Sequence, residues 1–239
     1  MENLMSSYIE SILNSPLKNK IPGPVIMISR ECGCSAKRIA TKLSKILTGY
    51  SFHSETKTDV PWKWVSKEII EAAAIELQMD PLKIKNVFLS ETKLNIEEVS
   101  SAFSTEKVYD SEDQKVIDTV RKVILRLSEE GNMIIVGRAA GVIAKDISRK
   151  LSIKLQAPLE WRINRIMQIS NLSHADAQEY VLQIDRQREL FREHVAGRKL
   201  NDNDFDIIFN YSTLQDDHIV DAIMNVIKNK HFFAEDEEN

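Results

Sequence analysis

An α/β fold with a mostly parallel sheet, covered by helices on both faces, is what this sequence predicts. Three observations carry the prediction. Val25-Ile26-Met27-Ile28 reads as a buried strand that runs through one glycine, Gly33, into a helix. Met133-Ile134-Ile135-Val136 is an all-apolar run that suits a central parallel strand. Between and after these, strand-like and helix-like stretches alternate along the chain, the pattern of crossover-connected parallel strands.

Taken in order, Met1 to Lys20 is a short amphipathic segment that the breaker Pro22-Gly23-Pro24 ends before the first strand. After the Gly33 turn, Ile39, Ala40, Leu43, Ile46 and Leu47 mark one face of a helix over Lys37–Leu47. Ser51-Phe52-His53 reads as a short second strand and Glu55–Asp59 as a polar loop. The region from about Trp62 to Arg126 reads as helical. Ile69, Ile70, Ala73 and Leu77 form one stripe, and Val116, Val120, Val123, Ile124 and Leu127 another. Between them, Lys83–Asp113 has weaker periodicity and no strong strand.

Gly131-Asn132 breaks the chain before the apolar run, and Gly137-Arg138 follows directly at that strand's C-terminal end, where open α/β sheets bind ligands. Ser152-Ile153-Lys154-Leu155 reads as a further strand. Ala157-Pro158 then turns into a helix over Leu159–Ile169. Ser173 is placed to cap a long helix from Ala175 to about Val195, which Gly197 ends. Phe205–Phe209 reads as the last strand and Asp217–Asn229 as the last helix.

The chain has 239 residues, 43% apolar and 28% charged, enough for one sizeable core. Its net charge is −4, and Glu235, Asp236, Glu237 and Glu238 supply that excess, so the remaining body is neutral. A neutral body argues against nucleic-acid binding by bulk charge. No apolar run reaches the roughly 18 residues needed to span a bilayer. The first twenty residues also lack the apolar stretch of a secretory signal. Cys32 and Cys34 are the two cysteines. They cannot make a disulfide framework and have no nearby Cys/His pair to complete a zinc site, so they read as small reduced residues in a turn. The expected compartment is the cytoplasm, with no membrane partner.

The chemistry begins at the first turn. A strand, a glycine-pinned turn and a helix opening with two cations form a layout in which backbone N–H groups hold phosphate. Of twelve arginines, ten lie between Arg121 and Arg198. Arginine's rigid fork matches phosphate oxygens bidentately, so this bias is more pointed than a run of lysines. Arg162 and Arg165 are three apart on one helix; Asp185 and Arg188 are three apart on the next, with Arg192 one turn beyond. A solvated helix laced by such pairs is the bland alternative. The position of these arginines beside strand ends favours a polyphosphate site.

At this point the residues resemble the cytidylate kinase-like family of P-loop nucleoside monophosphate kinases. The resemblance runs from Val25 to about Ile227. Val25–Ala40 is similar to the family opening I-S-R-x-Y-G-S-G-G-R-E-I-A, and Ser66–Ala73 to the start of its acceptor-side helix. Ile134–Ala140 is similar to its V-G-R-G-A element, and Ala157–Ile166 to A-P-L-E-x-R-I-x-R-I. Asp185-x-x-Arg188 and Phe205–Ser212 match its lid helix and its Y-D-L-x-I-N-T-S strand.

The resemblance implies a three-layer P-loop kinase core in one domain over 1–239. A helical acceptor-binding insert would span about 60–128 and a short helical lid about 173–200. It implies phosphoryl transfer from ATP, with Mg²⁺, to CMP or dCMP. In that scheme Arg30, Gly33, Cys34, Ser35, Ala36, Lys37 and Arg38 belong to the phosphate-binding loop. Gly137 and Arg138 bind the acceptor; Arg162 and Arg188 neutralise the transferring group, and Asp185 orients them. Arg186 and Arg192 are lid residues. Three departures stand out. Gly33-Cys34-Ser35-Ala36 replaces G-S-G-G, Ala139 replaces a glycine, and Glu55–Val65 looks like an insertion whose Trp62 and Trp64 belong to core or lid. Side chains at Ser35 and Ala36 would restrict positive φ and narrow the loop. Three readings therefore stand: an active cytidylate-type kinase, a catalytically impaired nucleotide-binding regulator, and a partner-binding protein that keeps only the fold.

Overall fold

The computed structural model describes residues 2–15, 22–53, 60–80, 84, 87, 109–229 and 232. The elements are α1 (Glu2–Asn14), β1 (Val25–Arg30), α2 (Ala36–His53), β2 (Lys63–Val65), α3 (Glu68–Leu77) and α4 (Ser111–Glu130), followed by β3 (Met133–Val136) and α5 (Ala140–Ile143). Next come β4 (Lys150–Gln156), α6 (Leu159–Ser170), α7 (His174–Ala196), a 3₁₀ turn (Asp202–Asp204), β5 (Ile207–Asn210) and α8 (Asp216–Asn229).

The five strands form one sheet in the order β2-β3-β1-β4-β5, and every described pairing is parallel. β1 lies at the centre, with Val25 opposite both Met133 and Lys150. The chain leaves β1 for β2 on one side and later crosses from β3 to β4 on the other. That reversal opens a crevice at the C-terminal end of β1.

Two apolar layers clothe the sheet because side chains alternate along each strand. Val25, Met27, Met133 and Ile135 face α1, α3, α4 and α5, while Ile26, Ile28, Ile134, Val136, Leu151, Ile153 and Leu155 face α2 and α8. This is the three-layer arrangement expected. A smaller cluster joins α6 to α7: Ile163, Ile166, Ala177, Val181 and Ile184 close on Cys32. Helix ends follow local chemistry. The Asp110 carboxylate accepts from the Glu112 and Asp113 amides at 2.8 Å each, opening α4. Ser173 Oγ accepts from the Asp176 amide at 3.2 Å, opening α7, and Gly197 (φ +66) closes it.

Two expectations need correcting. Ser51–His53 is the last turn of α2, not a strand, because the buried stripe through Leu43 and Leu47 carries the helix onward. The second strand is Lys63–Val65, inside the stretch read as helical from Trp62 and inside the expected insert. Three residues are too few to show alternation, but Trp64 pairs with Ile134 and places this segment in the core sheet. Trp62 is buried core, stacked on Phe232 at 6.3 Å, and Trp64 packs against the same layer. The polar loop at Glu55–Asp59, the tail from Glu235 and nearly all of Lys83–Tyr109 lie outside the described residues. No helix of the described residues is long and apolar enough to cross a membrane.

Candidate active site: two turns at the end of β1

The bend after β1 is short: five residues, Glu31 to Ser35, separate the strand from α2. Gly33 takes φ +89, and a Cβ there would meet Arg162 Cβ at 3.3 Å, so the bend lies directly against α6. Neither Ser35 nor Ala36 has a positive φ. The expected restriction of positive φ at those positions therefore does not arise.

Charge ties the bend to both following helices. The Cys32 N–H donates to Asp185 Oδ1 at 2.7 Å, and Arg162 Nη1 donates to the other oxygen of the same carboxylate. Arg162 Nε donates to the Ala157 carbonyl at 2.9 Å and lies 3.3 Å from Glu31 Oε2. Glu31 Oε2 in turn accepts from the Ala157 N–H at 3.0 Å. Arg188 Nη1 donates to the Arg30 carbonyl at 3.3 Å and lies 3.9 Å from Asp185 Oδ1. Arg162 is buried, which makes its two carboxylate partners obligatory. Burial pushes the thiol pKa of Cys32 up to about 11 and that of Cys34 up to about 12. Both are free and buried, so they stay neutral at physiological pH and serve as packing groups.

The turn after β3 faces this bend. Gly137, Arg138 and Ala139 take φ +80, +56 and +56 in succession. Left-handed backbone at two non-glycine residues costs about 1–2 kcal/mol each. The Gly137 N–H donates to the Ile28 carbonyl at 3.0 Å, and a Cβ on Gly137 would fall 2.0 Å from Arg30 Nη1. Arg30 therefore lies where any larger residue would have its side chain. Ser29, Arg30, Arg138, Arg188 and Arg192 line one small cavity here. Among the described residues, the Nε atoms of Arg188 and Arg192 and Gln187 Oε1 are buried without a hydrogen-bond partner. Burial also holds the Arg192 guanidinium below its ordinary pKa range, the mark of a cation with little compensation.

On the α2/α8 side of the bend lies a flat group the sequence reading did not assemble. Arg165 sits over the Trp161 ring at 5.1 Å and the Tyr211 ring at 5.4 Å. Tyr211 OH donates to Asp216 Oδ1 at 2.8 Å, and Arg38 Nε donates to Asp216 Oδ2 at 2.8 Å.

Arg138, Arg162, Asp185, Arg188, Arg192, Arg30 and Gly33 are thus brought together at the end of β1. Lys37 is exposed, Arg38 turns to Asp216, and Arg186 points outward to Glu189 at 3.1 Å. Glu31, Tyr211 and Asp216 join these networks and were not among the expected site residues. Glu31 follows the serine–arginine pair of the opening motif and Tyr211 lies in the last matched one, which is the signal that could have found them.

The model of the cytidylate kinase-like family matches residues 25–213. Over 126 residues the chain is 30% identical to a cytidylate kinase of Sulfolobus acidocaldarius, covering 52% of this chain and 68% of that protein. Among solved structures, an uncharacterized protein from Eubacterium ventriosum superposes with a TM-score of 0.58 at 17% identity, covering 85% of this chain and 98% of that one. That last likeness shows a shared fold.

Proposed function

We propose that this chain, which belongs to the cytidylate kinase-like family, transfers the terminal phosphoryl group of ATP to CMP or dCMP. The observation that carries the reading is the convergence of Arg138, Arg162 and Arg188, from three separate elements, on the two turns at the end of β1. Phosphoryl transfer asks a protein mainly for positioning and for cations where charge spreads. Arg162 and Arg188, steered by Asp185, meet the transferring group at the Gly33 bend. Arg138, with Arg30 beside it, holds the acceptor phosphate. The Arg165–Trp161–Tyr211 group supplies a flat face for the donor base. Mg²⁺, when bound, would neutralise phosphate oxygens. The cation-rich walls and the Arg188 and Arg192 Nε atoms, which have no partner among the described residues, fit a polyanion. Among the described residues no three His, Cys, Asp or Glu converge on a metal position. In this reading the ion is therefore held chiefly by the phosphates. A cytoplasmic setting, with both thiols reduced, belongs to the same reading.

The test is ADP formation by the full chain with Mg²⁺ and ATP, acceptor by acceptor. CMP and dCMP should turn over, and no turnover with any monophosphate refutes the reading. Arg188→Ala should lower kcat by about 10²-fold or more if its guanidinium meets developing charge. Arg149→Ala, at the opposite end of the sheet, should leave kcat unchanged.

One observation favours a second reading, a nucleotide-binding regulator without turnover. The amides of Cys32, Cys34 and Ala36 are already engaged, by Asp185, the Glu31 carbonyl and the Cys34 carbonyl. Fewer loop donors then remain for phosphate. A ligand at a hundred times its Kd stabilises by about 2.7 kcal/mol. A melting shift with ATP but no ADP formation selects this second reading.

A further inference from the structure

β4 breaks the rule that a strand flanked on both sides in a parallel sheet is apolar on both faces. Leu151, Ile153 and Leu155 enter the core with α2 and α8, but the opposite row reads Lys150, Ser152, Lys154 and Gln156. Ser152 is only 3% exposed and sits beside Met27 of β1. Lys150 and Ser152 form the floor of a cavity of about 530 Å³, walled by α5 and the C-terminal part of α7. That is the size of a small-molecule site.

Cations dominate its walls. Arg198 and Asp204 neutralise each other. Among the described lining residues, Arg121, Lys145, Lys150 and Arg192 then face one remaining acid, Asp146. Arg192 Nη1 donates to Ser29 Oγ at 2.9 Å, while its Nε is buried with no partner among the described residues. Opposite these charges, Met27, Leu125 and Phe205 are apolar. Ser29 and Arg192 also line the small cavity at the Gly137 turn, so their hydrogen bond is a wall common to both spaces.

We propose that this cavity is a second binding site, for a small organic monophosphate. Its phosphate lies on Lys150, Arg121 and Arg192, and its carbon body lies against Met27 and Leu125. The cavity adjoins the second turn, since Gly137 and Ala139 also line it, but Arg30, Arg138 and Arg188 do not, and the proposal stands whether or not the chain transfers phosphoryl groups. Because Arg192 belongs to both walls, a ligand below is felt by the same guanidinium that borders the space above.

The test is calorimetric titration of the full chain with ribose 5-phosphate, and with ribose as the uncharged control. Ribose 5-phosphate should bind and ribose should not. The double variant Lys145→Glu/Lys150→Glu should weaken ribose 5-phosphate at least tenfold. Arg138→Ala, which lines only the upper cavity, should change it less than twofold. Lys145 is exposed and Lys150, on the cavity floor, is half-buried. If charge reversal nonetheless unfolds the chain, Lys145→Gln/Lys150→Gln should still weaken binding severalfold. The proposal is overturned by any of three results: no binding to the wild type at millimolar ligand, affinity indifferent to the lysine variants, or loss of binding in Arg138→Ala.

Discussion

The two turns that close over β1 are built on opposite principles. The bend at Gly33 contains one residue of positive φ and is held by charge, through Asp185 on the Cys32 amide, Arg162 on Asp185, and Glu31 on Ala157. The turn at Gly137 has three successive residues of positive φ and is held by backbone and packing, with Arg30 filling the space beside the glycine. A charge-held bend responds to an arriving polyanion, because phosphate oxygens compete with carboxylates for the same guanidinium groups. In the proposed reading a strained, packed turn presents Arg138 in one place before any ligand comes, so that one side of the candidate site is responsive and the other preorganised.

The largest expected effect breaks the charged side. Arg162→Ala leaves Glu31 without a cation and Asp185 with only the more distant Arg188, and should cost about 3 kcal/mol, read as a drop in the urea midpoint. Gly137→Ala attacks the packed side. It puts a side chain on left-handed backbone at φ +80 and displaces only the flexible end of Arg30, so about 1–2 kcal/mol should be lost. Adding Arg30→Ala should restore little of that loss, because the cost is conformational.

The thiols give a pH test confined to the bend. Cys32 and Cys34 titrate above the ordinary thiol value of 9.0 because burial disfavours the thiolate. The folded state then binds more protons than the unfolded one between about pH 9 and pH 12. Stability from this source is full below pH 9 and is lost as pH rises through that window. Thermal melts should show the loss, and Cys32→Ala/Cys34→Ala should flatten that part of the profile. At pH 8 neither thiol should react with a disulfide reagent until the chain unfolds.

Ala139→Gly sharpens the comparison from the other side. It relieves left-handed strain at φ +56, less the extra entropy of glycine, and should stabilise by about 0.5–1 kcal/mol. Arg186→Ala should fall within about 0.5 kcal/mol of zero, since its pairing with Glu189 is solvent-exposed.

Much of this was legible in the sequence, for reasons that differ by element. β3 was read residue for residue, because four consecutive apolar residues between Gly131-Asn132 and Gly137 leave little else to form. The limits of α7 followed from Ser173 and Gly197, whose capping chemistry is local. The arginines of the site were visible by their clustering. What could not be read is non-local. The Glu31–Ala157 contact joins residues 126 apart, and no spacing announces it. β2 is three residues long and takes its identity from Met133–Ile135 beside it. Ser35 and Ala36 were expected to restrict positive φ in the loop, but the only positive φ that this bend takes is at Gly33, which no spacing rule foretells.

The central claim is that guanidinium groups from different elements form one polyanion site at the Gly33 bend. Titration of ATP into the full chain and into Arg188→Ala, followed by calorimetry in the same buffer, measures it most directly. The account predicts saturable binding to the wild type and at least a tenfold weaker affinity in the variant. No binding to the wild type, or equal affinity in the two proteins, would contradict it.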